Sequence, residues 1–402
     1  MAAHGAGRRL RLGVAGLGRA FTLMLPTLTA HPRVQLAAAA DPRPEARERF
    51  AADFSARVYE SVDQLCADRD VEAVYVATPH QHHAAHVAAA ASAGKHVLVE
   101  KPLAITLDEA NAMVEAVRAA GVHMVVGPSH SFDAPIGLVR RIVAAGELGR
   151  VRMVTALDYT DFLYRPRRPE ELDTALGGGV VFSQAAHQVD IVRAIAGGLA
   201  TRVRSSTGTW DASRPTEGAY AALLDFSGGA FACLAYNGYG RYDSDELMGW
   251  AGELGRARDP GAYGAAREAL AAIDGAAAEA MAKNARNYGG AGYRAPDSEA
   301  PWHEHFGFIV VSCERGDLRP TPRGVEVFGD VGRRFEALAQ PAVPRREVID
   351  ELCAAVFDGT PPPHDGPWGR ATLEVCVAIL ESARTGGAVA LRHQVAMRQL
   401  PP

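Results

Sequence analysis

The first third of the chain alternates short, continuous apolar runs with longer segments of helical character. The apolar runs cover Leu10 to Ala15, Val34 to Ala40, Ala73 to Ala77, Val97 to Glu100 and Met124 to Val126. Runs without polar alternation are typical of strands that are buried on both faces of a parallel sheet covered by helices. The pattern predicts an α/β fold, with an N-terminal doubly wound domain of the Rossmann type over residues 1–127.

The pattern changes near Arg150. Apolar residues alternate with polar ones from Val151 to Leu157, and the turn Ser227-Gly228-Gly229 separates two further apolar runs, as in a β-hairpin. Residues 128–402 are therefore predicted to form an α+β domain with a large, open, mainly antiparallel sheet. Residues 251–300, rich in Ala and Gly, are interpreted as an insertion that serves as a lid or a subunit contact.

Length, charge and cysteine content restrict the class of protein. With 402 residues, two domains are expected, and the net charge of -5 without a basic stripe argues against a nucleic-acid partner. The five cysteines are scattered without paired short spacings, which favours a reducing compartment. No apolar run reaches membrane-spanning length, so no membrane partner is expected. These features predict a cytoplasmic protein with a small-molecule substrate.

A glycine-rich turn follows the first predicted strand. Gly16-Leu17-Gly18 opens a helix, where backbone N–H groups and the helix N-terminus bind a pyrophosphate. The predicted cofactor contacts here are Gly16, Gly18, Arg19, Ala20 and Phe21, with Phe21 at the place of the third glycine of the usual motif. Asp41, about 20 residues on, is placed to accept hydrogen bonds from the ribose hydroxyls and favours NAD. Arg43 leaves NADP open, because its guanidinium could accommodate a 2′-phosphate.

Several motifs together resemble one enzyme family. They are Gly16-Leu17-Gly18, Ala77-Thr78-Pro79 followed by His83, Glu100-Lys101-Pro102, and Gly177-Gly178-Gly179 leading to His187 and Asp190. In this combination the chain resembles the Gfo/Idh/MocA oxidoreductases over nearly its whole length. Residues 159–168 and 183–190 are similar to the branch that contains phthalate 4,5-cis-dihydrodiol dehydrogenase. The resemblance implies an NAD(P)-dependent dehydrogenase that forms a homodimer or a homotetramer.

The resemblance also implies roles for individual residues. Lys101 would hydrogen-bond the reacting hydroxyl and help to remove its proton, with His187 as acid or base beside it. The cofactor would also contact Thr78, Pro79, His80, His83, Glu100 and Lys101. The sequence departs from the family at Ser183, where an aspartate is common, and a serine cannot stabilise an imidazolium by charge. Asp190 is a candidate to compensate, or an ordinary polar residue of its helix.

An arginine-rich segment precedes the glycine triplet. Tyr164, Arg165, Arg167 and Arg168, together with Ser183 and His187, are the predicted substrate contacts, because guanidinium forks bind carboxylates in a bidentate manner. The alternative is that these arginines pair with Glu170, Glu171 and Asp173 at the surface. The leading hypothesis is hydride transfer from a carboxylated aromatic cis-dihydrodiol of the phthalate type, giving a catechol. Alternatives are a sugar or inositol dehydrogenase of the same family, or a non-catalytic regulator that senses the cofactor.

Two groups of histidines were considered as metal ligands. His82 and His86 share one face of a predicted helix, and His303 and His305 flank Glu304 on alternate strand positions. Metal sites combine such histidines with matched cysteines or carboxylates, and none is evident near His82 and His86. The sequence prediction is therefore that the protein contains no metal site.

Overall fold

In a computed structural model that describes residues 7–295 and 300–398, the chain folds into 15 strands and 11 helices. The strands are β1 (Leu10–Ala15), β2 (Val34–Ala40), β3 (Arg57–Tyr59), β4 (Ala73–Val76), β5 (His96–Val99), β6 (Met124–Val126), β7 (Val151–Tyr159), β8 (Ala200–Gly208), β9 (Ala219–Phe226), β10 (Phe231–Asn237), β11 (Phe308–Cys313), β12 (Gly316–Thr321), β13 (Gly324–Gly329), β14 (Arg333–Ala337) and β15 (Val389–Ala390). The helices are α1 (Arg19–Ala30), α2 (Pro44–Phe54), α3 (Val62–Ala67), α4 (His83–Ser92), α5 (Leu107–Ala120), α6 (Ala134–Ala144), α7 (Ala186–Ala196), α8 (Ala265–Ala271), α9 (Gly275–Ala285), α10 (Arg346–Asp358) and α11 (Gly366–Thr385).

The chain divides into two compact units, each built from three stretches of sequence. Among the described residues, the first unit comprises 7–128, 283–295 and 343–369, and the second comprises 129–282, 300–342 and 370–398. None of the helices in these stretches has both the length and the apolar character needed to cross a membrane.

The first unit contains a six-stranded parallel sheet in the order β3-β2-β1-β4-β5-β6. Strands β1, β2 and β6 have the predicted bounds, and β1 and β4 to β6 are almost wholly buried. The parallel, doubly wound sheet predicted from the continuous apolar runs is thus confirmed. Because all strands run in one direction, their carboxyl ends lie at one edge, which is where ligands bind in such sheets.

Helix α5 shows how local sequence sets the ends of an element. The Thr106 side chain accepts a hydrogen bond from the Glu109 N–H (3.2 Å), while the Glu109 carboxylate accepts one from the Thr106 N–H (3.0 Å). This is a capping box, which satisfies two N–H groups that the helix leaves unpaired. The helix ends at Gly121, whose φ of 66° suits glycine in a left-handed cap.

The second unit contains a nine-stranded sheet in the order β14-β13-β12-β11-β7-β10-β9-β8-β15. All neighbouring strands are antiparallel except β7 and β10. One face of the sheet packs with α6, α7 and α11 into a single apolar core. The large, mainly antiparallel sheet predicted for this part of the chain is confirmed.

The stretch interpreted as an insertion, residues 251–300, is divided between the two units. Residues 251–282, with α8, belong to the second unit, residues 283–295 belong to the first, and residues 296–299 lie outside the described part. In the first unit, Tyr288 of this stretch is fully buried, with its ring edge-on to Phe21 at 5.2 Å. Residues 283–295 therefore contribute to the core of the first unit.

Candidate active site

The turn after β1 has the backbone that a pyrophosphate site requires. Gly16 has a φ of +93°, and a Cβ there would lie 2.9 Å from the Ala77 carbonyl oxygen. Gly18 is the N-cap of α1, and a Cβ on it would meet nothing within 4 Å. A glycine turn that leads into a helix N-terminus beside open space can hold a pyrophosphate on its N–H groups. These residues therefore fit a dinucleotide.

The third motif position, Phe21, is part of the core. Its side chain is fully buried and packs against Phe50 (ring centroids 5.9 Å apart) as well as Tyr288. A glycine at this position normally allows close packing of helix and strand. Here an aromatic cluster takes that place, so only the backbone of Phe21 is left for the predicted cofactor contact. Arg19 and Ala20 lie in the first turn of α1, and Arg19 is exposed.

Asp41, at the end of β2, is tied to the glycine turn. One carboxylate oxygen accepts the Leu17 N–H (2.7 Å), and the other accepts the Arg43 N–H and Nε–H (2.9 and 3.0 Å). Arg43 also donates from its terminal nitrogens to the carbonyl oxygens of Leu17 (2.9 Å) and Tyr288 (3.3 Å). The guanidinium of Arg43 is therefore held by the protein on all three nitrogens.

The loop after β4 carries the Thr78-Pro79-His80 motif and leads to His83. The His83 ring is fully buried between two carbonyl oxygens, of Thr78 (2.9 Å from Nε2) and Pro102 (3.0 Å from Nδ1). Burial lowers the pKa of His83 to about 4, and a neutral ring donates to one of the two carbonyl oxygens. His83 thereby links the loops after β4 and β5. Thr78 contacts His86 (2.9 Å), and the His80 ring packs on that of His83.

Lys101 follows β5 at the carboxyl edge of the sheet. The preceding residue, Glu100, is buried and accepts a hydrogen bond from the Tyr75 hydroxyl (2.6 Å). Burial raises the pKa of Glu100, and the positive charge of Lys101 acts in the opposite direction. The structure thus places Lys101 at the same sheet edge as Gly16 and Thr78, next to a buried carboxyl group. All three belong to the first unit.

His187 belongs to the second unit. It lies in the first turn of α7, after the π-helical segment Val181–Ala185, an irregularity often found at functional sites. Its buried ring contacts the rings of His130 (centroids 4.7 Å apart) and Phe306 (4.8 Å), which also contact each other (5.1 Å). The Ser129 hydroxyl lies 3.5 Å from His187 Nδ1.

His130 is bracketed by two carboxylates. Its Nδ1 lies 2.7 Å from Asp133, and its Nε2 lies 3.3 Å from Glu253. Burial disfavours the charged ring, but Asp133 and Glu253 outweigh burial and raise the pKa of His130 to about 10. With His187 beside it, His130 forms a polar cluster that comprises His130, Asp133, His187 and Glu253.

Sequence reasoning missed three members of this cluster, His130, Asp133 and Glu253. The spacing of His130 and Asp133 on one short turn is a local signal that could have been noticed. Glu253 lies in an irregular stretch, 123 residues from His130 in the sequence, and no local pattern connects the two.

Ser183 and Asp190, which flank His187 in sequence, have structural contacts. The Ser183 hydroxyl donates to the Gly179 carbonyl oxygen. Asp190 is buried and accepts hydrogen bonds from the hydroxyls of Ser131 and Thr372. Asp190 therefore anchors the turn that carries His130.

The predicted substrate arginines have carboxylate or aromatic neighbours. Arg168 lies 3.0 Å from Glu170, and the Arg167 guanidinium lies 3.6 Å above the Phe162 ring, where burial lowers its pKa to about 10. Arg165 lies 3.1 Å from Asp161, with 37% of its side chain exposed. The Tyr164 hydroxyl donates to Asp211 (2.7 Å).

The two histidine groups considered as metal ligands have other contacts. His303 and His305 lie 2.8 Å from the carbonyl oxygens of Ala339 and Ala251, respectively. The rings of His82 and His86 lie 5.7 Å apart.

Comparison with known proteins supports a two-part enzyme. Residues 10–128 match a family described as an oxidoreductase family with an NAD-binding Rossmann fold, and residues 136–258 match the GFO/IDH/MocA C-terminal domain. The chain is 46% identical over 377 residues to 1-carboxy-3-chloro-3,4-dihydroxycyclohexa-1,5-diene dehydrogenase of Comamonas testosteroni, covering 93% of this chain and 95% of the relative.

Solved structures agree with this assignment. A protein of Bordetella bronchiseptica RB50 is 44% identical, with a TM-score of 0.90, over 95% of this chain and all of the other. The WlbA dehydrogenase of Bordetella pertussis, solved with NADH and UDP-GlcNAcA, shares the fold at 22% identity, with a TM-score of 0.66 over 96% of this chain and 99% of the other. From its motifs, its two sheets and these likenesses, the chain belongs to the Gfo/Idh/MocA family of NAD-dependent oxidoreductases.

Proposed function

We propose that the protein oxidises a carboxylated aromatic cis-dihydrodiol to the corresponding catechol. The observation that carries this proposal is the 46% identity, over 95% of its length, to an enzyme named for a carboxylated dihydroxycyclohexadiene. The arginine-rich segment around Arg165 offers guanidinium groups for the substrate carboxylate. A neutral sugar or cyclitol would call for carboxylate and amide acceptors instead.

NAD, when bound, accepts a hydride from the carbinol carbon. The protein has to hold that carbon in position, accept the hydroxyl proton and exclude water. The resulting hydroxy-dienone enolises to an aromatic catechol, which makes the overall step favourable. Among the residues of the chain, we assign the hydroxyl proton to Lys101 and give His187 the role of acid or base, as the resemblance to the family implies.

Arg165 is the best supported of the proposed substrate contacts. Arg167 and Arg168 are engaged with Phe162 and Glu170, so their part is to hold the segment in shape. Arg165 exposes more than a third of its side chain and can exchange its contact with Asp161 for one with the substrate carboxylate. Tyr164 and Ser183 are assigned to the same pocket through their positions in sequence beside Arg165 and His187.

We infer a preference for NAD over NADP. Asp41 places a negative charge at the end of β2, which disfavours a 2′-phosphate. Arg43, the residue that could bind such a phosphate, is held by Asp41, Leu17 and Tyr288. Its guanidinium would have to give up these contacts to reach a 2′-phosphate.

We also propose that the protein works in the cytoplasm as a homodimer or homotetramer. All five cysteines are free, which agrees with a reducing compartment. The sheet of the second unit has one face that α6, α7 and α11 do not cover, and it carries partly exposed apolar residues of β7, β9, β10 and β11.

The function is tested with purified protein and a panel of cis-dihydrodiols, inositols and sugars, assayed with both cofactors at the nicotinamide absorbance. We expect reduction of NAD with carboxylated cis-dihydrodiols. The Lys101→Met variant should lose about 10²–10⁴-fold in kcat/KM, because the group that accepts the proton is gone. Its affinity for NAD, measured by fluorescence titration, serves as the control for folding.

Two results would contradict the proposal. If the protein oxidises an inositol or a sugar and none of the dihydrodiols, it is a sugar or inositol dehydrogenase of the same family. Full activity of Lys101→Met, or no turnover of any substrate by the wild-type protein while NAD still binds, would remove the catalytic role of Lys101 and favour a cofactor-sensing regulator.

A further inference from the structure

We propose that His130, His187 and Glu253 bind one divalent transition-metal ion of the zinc class within the second unit. Each of the three residues offers one ligand atom, and these atoms all lie within 4.8 Å of one another. Metal binding itself does not depend on the proposed function, whereas the role given to the ion below rests on that function.

The distances are close to those that an ion requires. A tetrahedral ion with bonds of about 2.1 Å holds its ligand atoms about 3.4 Å apart. His130 Nε2 and Glu253 Oε1 already lie 3.3 Å apart. The His130 and His187 rings are in contact, with centroids 4.7 Å apart and planes inclined at 68°. Because all ligand atoms lie within 4.8 Å of one another, each pair has to close by at most about 1.4 Å to complete the site.

Asp133 supports this arrangement from behind His130. Its carboxylate lies 2.7 Å from His130 Nδ1, so this nitrogen donates a hydrogen bond and Nε2 is directed to the other side of the ring, towards Glu253. A histidine that binds a metal through one nitrogen almost always donates the other N–H to a carboxylate or carbonyl. Asp190 holds the same turn through the Ser131 hydroxyl. The ligand His130 is thus fixed in orientation before an ion binds, and the ion takes the place of the proton on its Nε2, which is released to solvent.

A neighbouring set of residues offers a different site that shares His130. His130, Asp133 and Glu304 also have ligand atoms within 4.8 Å of one another. In that set Asp133 would have to become a ligand itself, and its contact with His130 at 2.7 Å is shorter than that of Glu253 at 3.3 Å. We therefore assign the ion to the set with His187 and Glu253, and Glu304 becomes the matched control.

The donor set indicates the class of ion. Two imidazole nitrogens and one carboxylate oxygen suit zinc, whereas magnesium prefers oxygen ligands and octahedral geometry. Three protein ligands leave a fourth position for an outside oxygen, as in catalytic zinc sites. About 42% of the Glu253 side chain is exposed, whereas both histidines are buried, so the cluster is accessible from the side of Glu253.

For the proposed reaction, the outside oxygen is a hydroxyl of the diol. The ion would polarise that hydroxyl and lower its pKa, without changing its own oxidation state. With the ion bound, one nitrogen of His187 is a ligand, so the acid or base role assigned to His187 above applies to the protein without the ion.

The experiment uses the full-length protein after dialysis against a chelator. Zinc is titrated by calorimetry, and cobalt(II) is added separately to record the visible absorption of a tetrahedral site. We expect one ion per chain, with no competition from equimolar magnesium. His130→Gln and Glu253→Gln should lose stoichiometric binding and the cobalt spectrum. Asp133→Asn should weaken zinc by about 10- to 100-fold, as expected for a partner that only orients a ligand.

Glu304→Gln is the matched control and should bind zinc like the wild-type protein. If His130→Gln fails to fold, Glu253→Gln decides, since its side chain is partly exposed and its shape is retained. The proposal is overturned if the wild-type protein binds no zinc, or if His130→Gln and Glu253→Gln bind it unchanged. If the protein binds no zinc and still oxidises dihydrodiols, the metal site is contradicted and the proposed function is supported. If the protein binds zinc and oxidises no dihydrodiol, the metal site is supported and the proposed function is contradicted.

Discussion

At the scale of single residues, Asp158 is a buried carboxyl group whose titration affects stability. It lies at the end of β7 and accepts a hydrogen bond from the Ser244 hydroxyl at 2.7 Å. Burial nevertheless raises the pKa of Asp158 to about 7, and the negative charge of Glu253 adds to the effect. In the unfolded chain an aspartate has a pKa of about 3.9. Between these values the unfolded state loses its proton first, so the free energy of unfolding falls as pH rises from about 4 to about 7.

The Asp158→Asn variant cannot lose a proton at this position. We expect its free energy of unfolding, relative to that of the wild-type protein, to rise by up to a few kcal/mol between pH 4 and pH 7. Below pH 4 the free energies of unfolding of the two proteins should change with pH in the same way. Urea unfolding at several pH values measures this difference. Asp225→Asn, at a partly exposed position of β9, is the control and should run parallel to the wild-type protein. A parallel profile for Asp158→Asn would contradict the prediction.

The sequence predicts those residues of the candidate site that belong to a short motif directly after a strand. Asp41 and Lys101 are examples, since a strand end and a following turn fix their position at the sheet edge. His130 and Glu253 could not be found in this way, because their contact joins a short turn to an irregular stretch far along the chain. A contact of this kind depends on tertiary packing, which hydrophobic periodicity does not report.

At the scale of elements, the buried strands β1, β2 and β6 have the bounds that the sequence predicts, because each is a continuous apolar run. Short strands without an apolar run were missed, among them β14, whose sequence Arg333–Ala337 is mostly charged. Such a strand is determined by its partner β13 and by the turn between them.

Residues 283–295 contribute to the core of the first unit, although their composition does not indicate this. Tyr288 is fully buried among Phe21, Phe50 and Phe54, and its hydroxyl donates to Asp53 at 2.7 Å. A segment poor in large apolar residues is thus attached through one aromatic side chain. Because Phe21 lies in α1, directly after the glycine turn, this attachment also supports the phosphate-binding end of the first unit.

Tyr288→Ala should destabilise the first unit by about 3–5 kcal/mol, the usual cost of removing a fully buried aromatic side chain. Tyr288→Phe keeps the ring and loses only the hydrogen bond to Asp53, which is worth about 1 kcal/mol. Chemical unfolding monitored with and without NAD measures both effects. We also expect faster proteolysis within residues 283–295 in the alanine variant. Equal stability of the alanine and phenylalanine variants would show that the ring does not hold the segment.

At the scale of the whole molecule, each unit combines stretches that are distant in sequence. The first unit takes in residues 283–295 and 343–369 in addition to its N-terminal stretch. Residue His364, for example, accepts a hydrogen bond from the Val126 N–H of β6 through its carbonyl oxygen (2.8 Å). Local sequence patterns predict the secondary structure of each stretch. They do not show which of the two units a later stretch packs into.

The uncovered face of the nine-stranded sheet has a regular composition. Leu223, Cys233, Thr155 and Val310 are direct neighbours across β9, β10, β7 and β11. The next row across the same four strands contains Ala221, Ala235, Leu157 and Phe308. Neither row contains a charged residue, and 51% of Leu223 is exposed. An apolar patch of this kind on an uncovered sheet face is typical of an interface between subunits.

Leu223→Lys tests whether this face joins the subunits. An ammonium group at the centre of an apolar interface would have to be buried without a partner, so the variant should dissociate. Light scattering after gel filtration should show a multiple of 42.6 kDa for the wild-type protein and a shift towards 42.6 kDa for the variant. Met281→Lys, which also places a lysine at an exposed apolar position but lies on α9, should leave the mass unchanged. A wild-type monomer, or an unchanged mass for Leu223→Lys, would show that subunits do not meet at this sheet face.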